Sequence, residues 1–296
     1  MIGSRGADAA GDPLLALNWL RFAPMAIKCG VILPGGSASE QLAQAELAED
    51  RGWDGVFVWE AAYGVDAWSL LAAMATRTRR VKLGTVLTPL PWRRPWKVAS
   101  QVATVDELSG GRVILTVGLG AIAPDLPTTG EVVDLRTRAE MLDEGIDLMR
   151  ALWAGEREFR GRHYDYHCEL DDLAEALRAP RSPIPIWVVG VWPRPKSMRR
   201  VLRCEGMVPQ YGEDEGTPDQ LCDIRAWLDQ RAEDPIELVS EGETSGTDPA
   251  AAAETVRPWA EAGATWWLET RWEMPHHSAE RMAQIRDRIA AGPPVV

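Results

Sequence analysis

Three observations predict that the chain folds as an α/β protein, a (β/α)8 (TIM) barrel. Short segments that are apolar at every position alternate with amphipathic segments from residue 28 to residue 291. Fully apolar strands are typical of a parallel sheet covered by helices, and the chain is long enough for a barrel, which takes about 250 residues. Residues 48–60 (AEDRGWDGVFVWE) and 260–269 (AEAGATWWLE) also share one pattern of helix end, glycine, strand and final glutamate. A doubly wound open sheet is the alternative architecture.

The predicted strand–helix units follow one another with one interruption. The predicted strands span residues 28–33, 55–59, 81–87, 113–117, 185–189, 207–209, 236–239 and 265–269. The predicted helices span residues 39–51, 67–76, 95–108, 135–153, 195–203, 218–230, 249–261 and 278–291. Proline in the first turn of the third helix and a Ser-Gly-Gly turn before the fourth strand support these bounds. Residues 155–183 break the alternation and predict an excursion, interpreted as a hairpin, between strands four and five.

The composition argues against several classes of function. The chain has 32 Lys and Arg against 44 Asp and Glu, a net charge of −12, which disfavours binding to nucleic acid or to an anionic membrane. The four cysteines are scattered without a C-x-x-C pair, which predicts a reducing cytoplasm, no disulfide framework and no metal site. No apolar run approaches the roughly 20 residues of a membrane span. Residues 1–24 are expected to be a flexible leader that precedes a barrel domain at 25–296.

The chemistry of a (β/α)8 barrel lies at the carboxyl ends of its strands. These ends are poor in His, Lys and Cys, so neither a nucleophile–base pair nor a metal cluster assembles there. They are rich in glycine, which lets a backbone approach a ligand, and in tryptophan, which offers a flat apolar surface. This inventory favours a large planar ligand that brings its own reactivity. The strand ends read 33–36 LPGG, 59–60 WE, 85–88 TVLT, 118–120 GLG, 190–192 GVW, 209–211 PQY, 240–241 SE and 269–272 ETRW.

One segment carries a specific family pattern. Residues 79–121 read RRVKLGTVLTPLPWRRPWKVASQVATVDELSGGRVILTVGLGA, with a distinctive strand-three ending, an R-R-P helix start and an L-S-G-G-R turn. In these features the chain resembles the luciferase-like monooxygenase family of flavin- and deazaflavin-dependent oxidoreductases. The weaker landmarks FRGRHYDY, SPIPIWVVG and EAGATWWLE follow in the family order, so the resemblance covers residues 25 to 291.

The resemblance implies a barrel that holds an FMN or coenzyme F-420 ring over strand three, often on a bulge with a non-proline cis peptide, here near Thr85-Val86. The implied cofactor-binding residues are Thr85, Val86, Thr88, Gly118, Gly120, Gly190, Val191, Trp192 and Lys196. Residues 190–192, with Arg194 and Lys196, would meet the cofactor phosphate at a helix start; a solvated basic helix start is the alternative. The implied substrate pocket comprises Leu33, Trp59, Trp92 and Trp272, although Trp92 could instead pack against its helix.

Two departures from the family pattern concern catalysis. Leu119 stands where luciferase-type members often carry an arginine for the FMN phosphate. Glu60-Ala61 stands where sugar-phosphate dehydrogenases that use the deazaflavin carry an Asp-His pair. Glu60 is therefore the candidate catalytic proton donor if Trp59 and the apolar barrel top raise its pKa. A structural bridge from Glu60 to an arginine is the alternative, and Glu269 is a weaker catalytic candidate on the same logic.

The sequence thus predicts an enzyme, an oxidoreductase or monooxygenase that uses reduced FMN or coenzyme F-420. It would transfer a hydride or activated oxygen to a small organic substrate. The expected partners are that substrate and a second copy of the chain in a homodimer, with neither nucleic acid nor membrane. The alternatives are a flavin-binding barrel without catalysis and a cofactor-independent barrel hydrolase or aldolase.

Overall fold

A computed structural model describes residues 26–61, 64–121, 130–169, 183–212, 216–270 and 278–296. The strands are β1 (Lys28–Ile32), β2 (Gly55–Val58), β3 (Lys82–Pro89), β4 (Val113–Gly118), β5 (Glu158–Arg160), β6 (Asp165–His167), β7 (Ile186–Val191), β8 (Gly206–Gln210), β9 (Glu237–Gly242) and β10 (Trp266–Glu269). Eight of them form a closed barrel in the order β1-β10-β9-β8-β7-β4-β3-β2, and β5 and β6 form a separate antiparallel hairpin. The predicted (β/α)8 barrel and the hairpin within its excursion are confirmed.

The helices of the described residues lie between successive barrel strands along the chain and after the last one. They are α1 (Ala38–Asp50), α2 (Ala67–Arg77), α3 (Pro95–Ser109), α4 (Leu135–Ala154), α5 (Pro195–Val201), α6 (Pro218–Asp229), α7 (Pro249–Glu261) and α8 (Ala279–Ala290). The first helix begins one residue earlier than predicted because Ser37, rather than a later serine, caps it in a reciprocal hydrogen-bonded pair with Glu40. The predicted leader lies outside the described residues.

The strand β3 continues past its predicted end to Pro89, before a short 3-10 helix at Leu90–Trp92. Its register against β4 pairs Thr85 with Leu115 and Thr88 with Val117. Two residues of β3 therefore stand opposite one residue of β4, which is a β-bulge. The bulge carries the strand beyond the end that its apolar run predicts.

Side chains alternate between two apolar layers, one inside the barrel and one between the strands and the helices. In the inner layer the ring of Phe57 stacks on that of Trp187 with centroids 5.6 Å apart, and Trp266 meets Trp187 edge-on at 5.4 Å. These rings fill the barrel interior, so the open space for a ligand is at the strand ends. The inner layer comprises Ile32, Phe57, Val86, Ile114, Trp187, Val208, Val239, Trp266 and Leu268, with Val189 against it.

Arg112, directly before β4, ties the amino end of the barrel to two helices. Its guanidinium is buried and donates to the carbonyl oxygens of Ala75, Thr78, Val81 and Ser109 at 2.7–3.0 Å. A planar cation with five donors can satisfy several helix-end carbonyls at once, which a lysine could not. The ends of α2 and α3 and the start of β3 are thus joined by one side chain.

Replacing this side chain should cost stability. Arg112→Ala leaves at least four buried carbonyl oxygens without donors, so we expect the free energy of unfolding to fall by about 2–4 kcal/mol. Urea unfolding followed by tryptophan fluorescence measures it. The control is Arg79→Ala, because Arg79 is exposed and only its backbone N–H is bonded to Glu49. A change of less than about 0.5 kcal/mol in Arg112→Ala would show that the hydrogen bonds are replaced by water.

Candidate active site

The β3 exit has an irregular backbone at the barrel mouth. The Val86–Leu87 peptide bond is cis, one bond beyond the position that the resemblance implies. Val86 and Leu87 occupy the bulge opposite Thr116, and Val86 belongs to the inner layer. The bulge leaves backbone groups of these two residues outside the β3–β4 ladder, and such groups are available to a polar planar ligand.

A hydrogen-bonded network lies directly behind this bulge. The Thr85 and Thr88 hydroxyl oxygens are 2.9 Å apart, and the Thr88 hydroxyl donates to Glu60 Oε2 at 2.5 Å. Trp68 Nε1 donates to the same carboxylate oxygen at 3.0 Å. Both threonines are fully buried. Their side chains are therefore committed to protein partners, and their part in cofactor binding stays a prediction.

Glu60 is paired with an arginine. Its carboxylate is buried and contacts Arg93 Nη1, while Arg93 Nη2 donates to Gln101 Oε1 at 2.8 Å. Burial lowers the pKa of the Arg93 guanidinium. This geometry is the bridge from Glu60 to an arginine that the sequence also allows, as the alternative to a catalytic role for Glu60. The carboxylate thus links β2, the β3 exit and α3, and the proton-donor role of Glu60 stays a prediction.

The β4 exit is packed against the β3 exit without space for extra side-chain atoms. A Cβ on Gly118 would meet Leu87 Cδ2 at 2.7 Å, and one on Gly120, where φ is +81°, would meet Pro89 and Trp92 at 2.8–2.9 Å. Both glycines are thus required by packing within the protein. Their contact with a cofactor stays a prediction.

Arg138 holds the same exit from the other side, and sequence reasoning missed it. The side chain is buried and donates to the carbonyl oxygens of Leu119 and Gly120, with its guanidinium carbon 5.2 Å from the centre of the Trp92 ring. Trp92 therefore packs between Gly120 and Arg138, and its predicted pocket role is untested. Arg138 precedes Leu142 by four residues on the apolar face of α4, and this cation on an apolar face is the signal that could have revealed it.

The β7 exit differs from a free phosphate cradle. Val191 N–H donates to Ser197 Oγ at 2.9 Å and Trp192 N–H donates to the carbonyl oxygen of Gln210 at 2.8 Å. A Cβ on Gly190 would meet Met207 and Val201 at 2.7–2.8 Å, so this glycine lets α5 approach the barrel. Lys196 is exposed in the first turn of α5. The phosphate site proposed for these residues therefore stays a prediction, and two of its amides already have partners.

The alternation of side chains bears on two sequence-based interpretations. Leu33 follows the inward-facing Ile32 and lies fully buried in the outer layer, and its place in the substrate pocket stays a prediction. Glu269 follows the inward-facing Leu268 and also points outward, so its assignment as a catalytic candidate is wrong. Its carboxylate accepts from Thr244 N and Oγ1 at 2.8 Å and pairs with Arg288 of α8 at 3.2 Å.

Two further strand-end residues face the mouth. Trp59 lies two residues after the inward-facing Phe57 and is 41% exposed, and its place in the substrate pocket stays a prediction. Glu241 lies two residues after the inward-facing Val239, and burial among the surrounding protein raises its pKa to about 7. Sequence reasoning missed Glu241, although the same two-residue spacing would have found it. Trp272 lies outside the described residues.

A cavity of about 390 Å³ lies between the amino-terminal parts of α1 and α2, lined by residues that include Leu42, Val65 and Leu70. Within the described ranges, no three or more His, Cys, Asp or Glu residues are grouped so that they could hold a metal ion. None of the helices described is both long and apolar enough to cross a membrane.

A sequence comparison shows the family to which this barrel belongs. The model of the luciferase-like monooxygenase family matches residues 20–293. The chain belongs to the luciferase-like monooxygenase family. The resemblance that residues 79–121 carry is thereby confirmed.

Relatives of known name connect the chain to deazaflavin and flavin proteins. An F-420-dependent glucose-6-phosphate dehydrogenase of Amycolatopsis mediterranei is 36% identical over 160 residues, which cover 50% of this chain and 46% of the relative. The chain thus spans about half the length of the first curated relatives it matches. A protein of the same name from Intrasporangium calvum is 32% identical over 281 residues, 86% of this chain and 80% of the relative.

A solved structure shows the shared fold at lower identity. It is the FMN-bound oxygenating constituent of 3,6-diketocamphane monooxygenase from Pseudomonas putida, a type II Baeyer–Villiger monooxygenase. The TM-score is 0.72 at 17% identity, over 92% of this chain and 98% of that chain. This similarity supports the barrel fold of the family.

The outward position of Glu269 can be tested by a neutral replacement. Glu269→Gln leaves the buried Arg288 guanidinium without its carboxylate, so we expect a loss of about 3–5 kcal/mol in the free energy of unfolding. Chemical denaturation measures the loss. Glu261→Gln is the control, because Glu261 is exposed at the end of α7. An unchanged stability in Glu269→Gln would mean that this pair is not formed in solution.

Proposed function

We propose that this protein is an oxidoreductase that binds FMN or coenzyme F-420 at the barrel mouth and acts on a small organic substrate. The observation that carries the proposal is the β3 bulge, where the backbone at Val86–Leu87 leaves the ladder next to the mouth. Beside it, the buried Thr116 hydroxyl has no hydrogen-bond partner among the described residues. Buried polar groups rarely remain unpaired, so this corner fits a flat ligand with polar ring edges.

The deazaflavin is the preferred cofactor in this proposal. The relatives that are 32–36% identical carry the name F-420-dependent, whereas the FMN-containing structure is only 17% identical. Leu119 also stands in place of the arginine that often grips the FMN phosphate in luciferase-type members. When bound, the cofactor supplies hydride transfer in the case of F-420, or oxygen activation in the case of reduced FMN.

The protein's own residues orient the ligands and exclude water. The network of Glu60, Thr88 and Arg93 fixes the β3 exit on which the ring rests, and Trp59 offers an apolar face at the mouth. Glu60 acts in this proposal through Thr88, as a positioning residue, and direct proton donation by Glu60 is the alternative. Sugar phosphates are one substrate class that the relatives' names suggest. Because the Asp-His pair is missing after β2, other alcohols and carbonyl compounds are also candidate substrates in this proposal.

The proposal also covers the cellular compartment of the protein and its oligomeric state. The four cysteines are free thiols, which supports a reducing cytoplasm. A homodimer is proposed from the family resemblance, and sedimentation equilibrium of the purified chain would test it. No nucleic acid or membrane partner is proposed, because the net charge of −12 disfavours both.

Cofactor binding is the direct test. We expect saturable quenching of tryptophan fluorescence by coenzyme F-420 at micromolar concentrations in an anaerobic titration, because Trp59 and Trp92 lie near the mouth. FMN is titrated in parallel, and glucose 6-phosphate, a secondary alcohol and a cyclic ketone are then offered to the loaded protein. Riboflavin, which lacks the phosphate, is the ligand control. Saturation by FMN alone would reverse the cofactor preference, and the absence of quenching by both would remove the oxidoreductase proposal.

The positioning role of Glu60 has its own test. Glu60→Gln keeps the shape of the side chain but loses the charge opposite Arg93, so we expect about tenfold weaker cofactor binding, equivalent to about 1.4 kcal/mol. The pH profile of turnover should keep its shape, since the proton-transfer group remains. A loss of turnover with unchanged cofactor affinity would instead assign proton donation to Glu60. Glu46→Gln, at an exposed pair with Arg77, is the control.

A further inference from the structure

Glu241 is the strand-end carboxylate that the proposed function leaves without a role. It lies near the carboxyl end of β9, two residues after Val239 of the inner layer. Because side chains alternate along a strand, Glu241 also points into the barrel, one layer nearer the mouth. The side chain is exposed to the space of the mouth, so a ligand there can reach it.

The strand that carries Glu241 stands directly across the barrel from β3. The closed order places β8, β7 and β4 between them on one side, and β10, β1 and β2 on the other. The proposed cofactor ring rests on the bulge of β3. A substrate held between the ring and the opposite wall therefore presents its second face to Glu241.

The surroundings of Glu241 are apolar or uncharged. Protein walls surround the carboxylate although it is open to the mouth, and this partial exclusion of water raises its pKa to about 7. Among the described residues Tyr211, at the exit of β8, is a titratable neighbour, and burial together with the charge of Glu241 raises the Tyr211 pKa to about 12. From the exit of β10, Thr270 contributes a buried hydroxyl without a partner among the described residues.

The other charges near these strand ends are occupied elsewhere. Glu243 pairs with Arg281 of α8 at 3.4 Å, and Glu269 pairs with Arg288 on the outer face. Within the described ranges, no cation lies in ion-pair distance of Glu241. A carboxylate that has no ion-pair partner among the residues the structure describes, aimed into a mouth, is in the position of a group that serves a ligand.

We propose that Glu241 exchanges a proton with the substrate, from the wall opposite the cofactor, in the reaction of the proposed function, on which this inference rests. For a secondary alcohol or a hemiacetal, the Glu241 carboxylate accepts the hydroxyl proton as the C–O bond becomes C=O. The C–H electron pair of the same carbon leaves as hydride to the oxidised deazaflavin. The substrate is oxidised by two electrons, the deazaflavin is reduced by two, and the carboxylic acid returns its proton to water. In the opposite direction, protonated Glu241 donates to the carbonyl oxygen.

The test compares Glu241→Gln with Glu237→Gln, which removes a carboxylate from the amino end of the same strand, where it pairs with Lys28 at 2.7 Å. Infrared difference spectra of the unloaded protein, from about pH 5 to about pH 9, report carboxyl protonation. The absorbance of bound coenzyme F-420 over the same range reports a charge that faces the ring. We expect a transition near pH 7 in both readouts for the wild type and for Glu237→Gln, and none for Glu241→Gln.

Cofactor binding and substrate turnover distinguish a failure of the proposed function from a failure of the role proposed for Glu241. Coenzyme F-420 should bind Glu241→Gln within about twofold of the wild type, because the carboxylate lies across the mouth from the ring. For the substrate that the wild type turns over, kcat should fall about 10²–10⁴-fold. Wild-type protein that binds neither F-420 nor FMN overturns both the proposed function and this inference. Normal binding with no carboxyl transition near pH 7, or with kcat within twofold of the wild type, overturns this inference alone.

Stability gives a readout that does not depend on any ligand. A carboxyl whose pKa is raised from 4.5 to about 7 on folding stabilises the fold fully below about pH 4.5 and loses that contribution as the pH rises through 7. Glutamine does not titrate, so the Tm of Glu241→Gln should rise relative to the wild type between these two pH values. Glu241→Ala should show the same trend if the glutamine amide makes bonds of its own. A pH-independent Tm difference in both variants contradicts the inference.

Discussion

The alternation of side chains along eight closed strands is the constraint on which the rest of this molecule depends. In a closed barrel, residues two positions apart on a strand face the same side of the sheet. The layer that a side chain faces is therefore fixed by its neighbours two positions away. Phe57, Val239 and Leu268 fill the interior, so Trp59 and Glu241 are directed to the mouth and Glu269 to the helices. One rule thus separates a carboxylate that faces the mouth from a buried structural one on the adjacent strand.

The mouth also needs an exit from β3 that keeps its shape without a ligand. Contacts from three directions fix it. Glu60 and Arg93 hold Thr88 from behind, Gly118 and Gly120 let the β4 exit pack directly against Leu87 and Pro89, and the 3-10 helix turns the chain toward α3. Fixed backbone groups at a ligand site avoid the entropy cost of ordering them when the ligand binds.

Much of the fold was predictable because it depends on local patterns. Apolar strands, capped helices and turns are encoded within a few residues, and the strand bounds agree within two residues at most ends. The site was less predictable because its contacts join residues far apart in the chain. The Glu60–Arg93 pair joins the end of β2 to the residue after the 3-10 helix, and Arg138 of α4 binds the β4 exit. Glu269 was misplaced because a residue at the end of a strand was taken to face the mouth, without counting its distance from the inward-facing Leu268.

The way in which Arg138 holds the β4 exit leaves the side chain of residue 119 free to change. The Arg138 guanidinium binds the main-chain oxygens of Leu119 and Gly120, and any amino acid at position 119 would present that oxygen. The side chain of residue 119 carries no part of this attachment. Leu119 instead packs against the outer core, two residues after the outward-facing Val117. A substitution at this position can therefore change the packing between the barrel and its helices while the main-chain attachment to Arg138 stays in place.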